Sequence, residues 1–241
     1  MRVSDTASTN SRFYDALWSR TYLERPERFN TWPLVSELLQ HGEQRLEVGP
    51  GMRPRLPVHD THFIDRSSAA VERLQEQAGK AQCGDVCALP FADRTFDLVC
   101  AFDVIEHVEN SRLAFTEVSR VLKEDGILVF SVPLHKSRWC EFDALVGHAH
   151  RFDPPELLAL LAENQLFPEQ SAPFGMQPES TWLLDCGMWF LRHHSRQAIF
   201  WYNQILMPLG LFFQKPLAFR SGLGDLSEID EIICVCRRKG M

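Results

Sequence analysis

Glycine and acidic residues follow two predicted strands at the spacing expected of a nucleoside pocket. Arg45–Val48 predicts a short strand that runs into a turn containing Gly49 and Gly51, and residues 61–64 predict a second strand that ends at Asp65. The glycines allow a sharp turn close to a ligand, and the acid can accept hydrogen bonds from both hydroxyls of a ribose. These residues therefore predict a site for a nucleoside.

Two prolines argue against a dinucleotide such as NAD. Pro54 stands where a G-x-G-x-x-G pattern would have its third glycine, and Pro54 and Pro57 interrupt the segment in which a phosphate-binding helix would begin. A pyrophosphate needs the free N–H groups of that helix terminus. S-adenosylmethionine has a ribose and an adenine but no phosphate, so the turn favours this cofactor over NAD.

Further polar residues follow the next predicted strands. Asp85 comes after a short strand at residues 81–83 and can accept a hydrogen bond from an adenine amino group. Phe96–Ala101 is an apolar segment typical of a strand buried on both faces, and it ends at Phe102 and Asp103. His107 follows at the carboxyl end of that strand, where open parallel sheets bind their ligands. A helix at residues 113–122 and a fifth strand at residues 127–132 complete the pattern.

In this order, the segments resemble the class I S-adenosylmethionine-dependent methyltransferases from about residue 45 to residue 167. The segments that carry the resemblance are EVGPG at 47–51, Asp65, GD at 84–85, LPF at 89–91, FDLV at 96–99, VIEHV at 104–108 and VLKEDG at 121–126. The resemblance implies a Rossmann-like α/β fold with a mostly parallel seven-stranded sheet flanked by helices. The last strand, residues 229–237, is then antiparallel and lies between the fifth and sixth.

The resemblance also implies roles for the residues at the strand ends. They fall into four groups: Glu47, Gly49, Pro50 and Gly51 shape the methionine and ribose side, Asp65 with Arg66 holds the ribose hydroxyls, Asp85 and Val86 contact the adenine edge, and Phe102 and Asp103 form the wall beside the reactive methyl. The sequence departs from the family at Arg53, which stands where the motif often has its third glycine. We expect Arg53 or Arg55 to pair with the carboxylate end of the cofactor.

Two histidines are candidate catalytic residues. If the methyl acceptor is a hydroxyl, a general base assists, and histidine is the side chain best suited to that role near neutral pH. His107 and His148 are the candidates, the second because it precedes a predicted helix on the side of the strand ends. A carboxylate, thiol or amine acceptor needs no base, and the histidines would then serve only to cap a helix or to satisfy backbone groups.

Composition limits the class of partner. The chain has 241 residues, 45% of them hydrophobic, and a net charge of -7 without a basic stripe, which argues against nucleic acid as the substrate. Seven cysteines without a C-x-x-C pair indicate buried reduced thiols, and no metal site is predicted. The amino terminus lacks the apolar core of a secretory signal, so a cytoplasmic location is expected.

The chain is predicted to be a single methyltransferase domain. Its expected parts are an N-terminal helical cover at residues 1–42 with helices near 13–18 and 29–39, a cofactor-binding core at 43–175, a helical cap at 176–228 and the final strand at 229–238. Residues 197–214 carry no formal charge, yet Pro208, Gly210 and several amides argue against a membrane span. The segment remains open to three interpretations: a cap over the site, a homodimer surface, or an interfacial helix in contact with a membrane.

Three functions of different kind are compatible with these patterns. The first is an active methyltransferase for a small acceptor, which the aromatic content of residues 176–219 suggests is apolar or lipid-like. The second is an NAD-type oxidoreductase on a similar sheet. The third is a protein of the same fold that binds cofactor or a partner without catalysis.

Overall fold

An eight-stranded sheet forms the centre of the molecule. The computed structural model describes residues 21–175, 189–190 and 193–240. The strands lie in the order β3-β2-β1-β4-β5-β8-β6-β7. Their bounds are β1 Arg45–Val48, β2 Thr61–Asp65, β3 Lys80–Cys83, β4 Phe96–Ala101, β5 Leu122–Pro133, β6 Leu166–Pro173, β7 Arg220–Ser221 and β8 Glu231–Arg238.

The direction of the strands determines at which edge of the sheet each strand ends. Strands β1 to β5 pair in parallel, so their carboxyl ends lie at one edge. Strand β8 is antiparallel to both β5 and β6 and lies between them, as predicted. The predicted number of seven strands is wrong, because β7 pairs with β6 at the sheet edge. A two-residue strand is too short to leave a periodic pattern in the sequence.

Helices cover both faces of the sheet. Their bounds are α1 Trp32–Leu38, α2 Ser68–Glu76, α3 Ser111–Val121, α4 Glu141–Val146, α5 Pro154–Glu163, α6 Ser195–Trp201 and α7 Met207–Phe212, with a π-helical segment Tyr202–Leu206 between the last two. Short 3₁₀ helices occupy Pro26–Arg28, Leu39–His41, Ile105–His107 and Lys136–Arg138.

Alternate residues of the central strands pack against opposite layers, since successive side chains of a strand point to opposite faces. Val99 and Ala101 belong to the core that contains Phe115 of α3 and Leu157 of α5. On the other face, residues 98 and 100 pack with Val35 of α1. Both faces of β4 are therefore buried, which explains why every residue of the strand except Asp97 is apolar or small.

The connection between β1 and β2 contains turns instead of a helix. This agrees with the interruption by Pro54 and Pro57. The predicted helix at residues 29–39 is α1 followed by a 3₁₀ turn, whereas the one near residues 13–18 lies outside the described residues. Among the residues that the structure describes, no helix is long and apolar enough to cross a membrane.

Candidate active site

The glycine turn after β1 packs directly against the loop that follows β4. Gly49 and Gly51 have φ angles of 64° and 53°, which L side chains rarely adopt. A Cβ atom added to Gly49 would lie 2.5 Å from Cγ2 of Val104. Position 49 thus requires glycine both for its backbone conformation and for the close approach of the two loops.

Asp65 holds this turn in place from the end of β2. Its Oδ2 accepts a hydrogen bond from the backbone N–H of Gly51 at 2.8 Å, and its Oδ1 accepts one from Ser67 at the same distance. The side chain is buried. Each carboxylate oxygen has more than one acceptor position, so these bonds leave capacity for ribose hydroxyls.

Asp85 lies beside Arg66 at the next strand end. Arg66 Nη2 and Asp85 Oδ2 are 2.5 Å apart, and Asp85 Oδ1 accepts from the Cys87 N–H at 2.8 Å. Burial alone would raise the pKa of Asp85, but the bonds from Cys87 and Arg66 lower it below its usual value. Val86 is buried next to this carboxylate, and the group is ionised at neutral pH.

Glu47 stabilises the loop beyond the glycine turn. Its carboxylate is almost fully buried and accepts hydrogen bonds from the N–H groups of Arg55 and Leu56 at 2.9–3.0 Å. Burial raises the pKa of Glu47 to about 7, although the two backbone bonds oppose this. In the described residues, the carboxylate thus faces the loop backbone at positions 55 and 56.

The two arginines of this loop have different surroundings. The Arg55 guanidinium lies 3.7 Å from the ring centre of Phe29 and 5.6 Å from that of Phe102, and burial lowers its pKa to about 10. Arg53 donates to the hydroxyl of Tyr202 at 3.3 Å. A crevice beside Arg53 is lined by Met52, Tyr22, Asn203 and Met207, among others. The helical segment 195–212 therefore reaches the glycine turn.

Asp103 follows β4 at the mouth of the site. It has a φ angle of 54°, and its N–H donates to Ser131 Oγ of β5, whose hydroxyl donates back to Asp103 Oδ1. Burial and the neighbouring Asp103 carboxylate raise the pKa of Glu231 well above its usual value, so Glu231 favours its protonated form.

His107 and His148 lie next to each other, although 40 residues separate them in the sequence. Their ring centres are 4.8 Å apart. His107 Nδ1 donates to the carbonyl of Gly147 at 3.1 Å, and burial, then the proximity of His148, lowers its pKa to about 4. His148 Nδ1 donates to Asp143 Oδ1 at 2.8 Å. Both predicted histidines thus belong to one cluster.

Residues without a predicted role complete this cluster. Asp143 is fully buried and also accepts from Arg151 Nε at 2.9 Å, and Arg151 in turn pairs with Asp230. Glu106 is buried beside the histidines, with Oε1 at 3.9 Å from His148 Nε2. The sequence signal that could have drawn attention to Glu106 is its place beside His107 after a buried strand.

The geometry defines an α/β protein whose glycine turn and acidic side chains gather at the carboxyl ends of the parallel strands. Residues 46–130 match a family model described as a methyltransferase domain. The chain is 27% identical to the malonyl-[acyl-carrier protein] O-methyltransferase of Halorhodospira halophila over 113 residues, which cover 42% of this chain and 38% of that one. An uncharacterised protein of Methanocaldococcus jannaschii is 26% identical over 152 residues, covering 61% and 59%.

The fold is also similar to that of solved structures. The crystal structure of YcgJ from Bacillus subtilis has a TM-score of 0.55 at 18% identity, with 88% of this chain and 98% of that one covered. The chain spans about three fifths or less of the length of the curated relatives named above. The match over residues 46–130, together with the strand order, indicates a methyltransferase domain of the class I S-adenosylmethionine-dependent kind. The cofactor of such a domain is S-adenosylmethionine.

The site has the features that this cofactor requires. The left-handed glycine turn allows close approach of a ligand, the buried carboxyl of Asp65 ends β2, and the partly exposed, ionised Asp85 follows β3. The turn lacks the helix that a pyrophosphate would need. The residues present thus fit a nucleoside without phosphates.

Proposed function

We propose that the protein transfers a methyl group from S-adenosylmethionine to a hydroxyl oxygen of a small, apolar or lipid-like acceptor. The observation that carries this proposal is the 2.8 Å bond between His148 Nδ1 and Asp143 Oδ1 beside the loop after β4. A histidine oriented by a buried carboxylate is suited to accept a proton, and a hydroxyl acceptor must lose one.

The cofactor side follows from the strand ends. We propose that Asp65 binds the ribose diol, with Arg66 next to it, and that Asp85 and Val86 contact the adenine. Gly49, Pro50 and Gly51 form the turn that passes close to the cofactor, and Glu47 holds the loop behind them. Arg53 and Arg55 supply positive charge for the carboxylate of the methionine part. Phe102 and Asp103 stand beside the reactive methyl.

Methyl transfer places simple demands on the residues of this chain. When bound, S-adenosylmethionine supplies an electrophilic methyl group whose leaving group is already activated. The protein has to align the acceptor oxygen with the methyl and exclude water. His148 Nε2 would accept the proton that the acceptor hydroxyl loses when its oxygen takes up the methyl group. Asp143 stabilises the imidazolium that results. The lowered pKa of His107 makes it a weak base.

The helical segment supports the choice of an apolar acceptor. Met207 and Leu211 pack against Phe29, so one side of this segment is docked close to the glycine turn. Its other side exposes large apolar side chains: Phe200, Trp201, Ile205, Leu206, Leu209, Phe212 and Phe213. We propose that residues 176–228 form a cap whose apolar surface receives the acceptor. A homodimer contact or a membrane contact would use the same surface.

A transfer assay with methyl-labelled S-adenosylmethionine tests this function. Organic-solvent and aqueous fractions of a cell extract serve as acceptor mixtures, and products are identified by the mass of one added CH₂ group. We expect the label in a solvent-soluble hydroxyl compound, with Asp65→Asn as the inactive control. Cofactor binding without label in any product would instead support a protein of this fold that does not catalyse methyl transfer. Calorimetry with NAD in parallel tests the oxidoreductase alternative.

A further inference from the structure

Three side chains with metal-binding atoms meet at the carboxyl end of β4. Glu106, His107 and His148 each bring one nitrogen or oxygen ligand atom to within 4.8 Å of the others. We call these three residues the Glu106 cluster. The spacing of the cysteines predicts no metal site, whereas this cluster uses imidazole and carboxylate ligands.

The tautomers of both histidines suit metal coordination. The Nδ1–H of His148 donates to Asp143, and that of His107 donates to the carbonyl of Gly147. Each ring therefore carries its lone pair on Nε2. A ligand histidine in proteins commonly donates its other N–H to a carboxylate or a backbone carbonyl, which fixes the ring and raises its basicity. The cluster has one partner of each kind.

Glu106 provides an independent indication of a ligand. Its side chain is 2% exposed, and Oε2 has no hydrogen-bond partner among the described residues. A buried carboxyl oxygen without a partner is costly and needs an explanation. A cation bound to this oxygen would give it a partner and neutralise the charge of the buried carboxylate.

We propose that the Glu106 cluster binds one divalent first-row metal ion through a carboxylate oxygen of Glu106 and Nε2 of His107 and His148. Two imidazoles and one carboxylate are the ligands of catalytic Zn²⁺ sites and of other sites with open positions. Ligand atoms bound to one ion lie at most about 4 Å apart, so a small rotation of the side chains completes the geometry.

The position of the ion has a consequence that rests on the proposed function. An open coordination position next to Asp103 would hold the acceptor oxygen and lower the pKa of its hydroxyl. The hydroxyl proton would pass to solvent while the ion is bound, and His148 would accept it only in the metal-free protein. Metal binding itself requires neither cofactor nor acceptor, so it is measured separately from methyl transfer.

Calorimetry of the full chain after dialysis against a chelator tests metal binding. Zn²⁺ and Mn²⁺ are titrated in turn, without S-adenosylmethionine. We expect one ion per chain for at least one of the two metals, with affinity reduced at least tenfold in Glu106→Gln and in His148→Asn. His59→Asn is the matched control, because His59 is exposed and distant in sequence from the cluster. This control excludes nonspecific binding to surface histidines.

Thermal unfolding distinguishes a lost ligand from a damaged fold. Glu106→Gln removes the buried acid but keeps its shape, so its melting temperature without metal should equal or exceed that of the natural protein, and metal should no longer raise it. Absence of stoichiometric binding for both metals, or equal affinity in Glu106→Gln, overturns the site. Methyl transfer that persists at full rate in excess chelator overturns the catalytic role of the ion while leaving the proposed function in place.

Discussion

Asp143 orients His148 through a single oxygen: Oδ1 accepts from His148 Nδ1 at 2.8 Å and from Arg151 Nε at 2.9 Å. Because Asp143 and Arg151 are both buried, the imidazole is held by a network that has little exchange with water. The network directs Nε2 of His148 towards Glu106 and the loop after β4. The orientation of the His148 ring depends on Asp143, whether Nε2 binds a proton or a metal ion.

We predict that Asp143→Asn lowers the rate of methyl transfer by about 10- to 100-fold. Loss of the carboxylate that orients a catalytic or metal-binding histidine typically has an effect of this size. The affinity for S-adenosylmethionine should remain within about twofold, since the side chain of Asp143 bonds to His148 and Arg151 and not to the glycine turn. Steady-state kinetics and calorimetry measure the two quantities. Asp225→Asn, which changes an exposed acid, is the control. Equal losses of rate and cofactor affinity would contradict a positioning role.

Asp65→Asn should weaken the binding of S-adenosylmethionine at least tenfold. The variant keeps the size of the side chain, but it removes the charge and places an N–H donor near the Gly51 and Ser67 N–H groups or the ribose hydroxyls. Calorimetry measures the affinity, and circular dichroism checks the fold. Asp60→Asn changes an exposed acid just before the same strand and should bind normally. Unchanged affinity in Asp65→Asn would remove the basis of the ribose assignment.

The sequence predicts those features of the structure that neighbouring residues in the chain determine. Phe96–Ala101 is predicted with the bounds that the structure has, because burial of both faces makes every position of the strand except Asp97 apolar or small. The missing helix after β1 follows equally from Pro54 and Pro57. Such features need no knowledge of distant residues.

The Glu106 cluster, in contrast, depends on tertiary contacts. His148 reaches His107 only because α4 ends at Gly147, whose carbonyl accepts from His107, and Asp143 one turn earlier fixes the second imidazole. These contacts join two segments 40 residues apart, and no spacing in the sequence encodes them. The pairing of β7 with β6 is likewise decided by tertiary contacts.

Gly49→Ala should be strongly destabilising, and a second glycine separates its two causes. Gly222 has nearly the same φ angle, 65° against 64°, but an added Cβ there would meet no heavy atom within 4 Å. Gly222→Ala should cost about 1–2 kcal/mol from the left-handed backbone alone. In Gly49→Ala the contact with Val104 adds to that cost, for a total of about 3 kcal/mol or more.

Urea unfolding of the natural protein and both variants measures these free energies. Calorimetry should show weaker cofactor binding in Gly49→Ala only, because the displaced turn lies where the cofactor passes. If the free energy of unfolding falls by the same amount in both variants, the contact between position 49 and Val104 does not contribute to the loss of stability.

The pH dependence of stability should report the burial of Glu47. Its pKa is about 7 in the folded chain against 4.5 as the usual value, so its protonation stabilises the fold below pH 4.5 and that contribution is lost as the pH rises through 7. Between pH 5 and pH 8 this amounts to roughly 2–3 kcal/mol. Glu47→Gln does not titrate at this position. Its free energy of unfolding relative to that of the natural protein should therefore rise by about the same amount between pH 5 and pH 8, as measured by urea unfolding at both pH values. Glu72→Gln, at an exposed position of α2, should gain nothing. A constant difference between Glu47→Gln and the natural protein would show that Glu47 stays ionised in the folded chain.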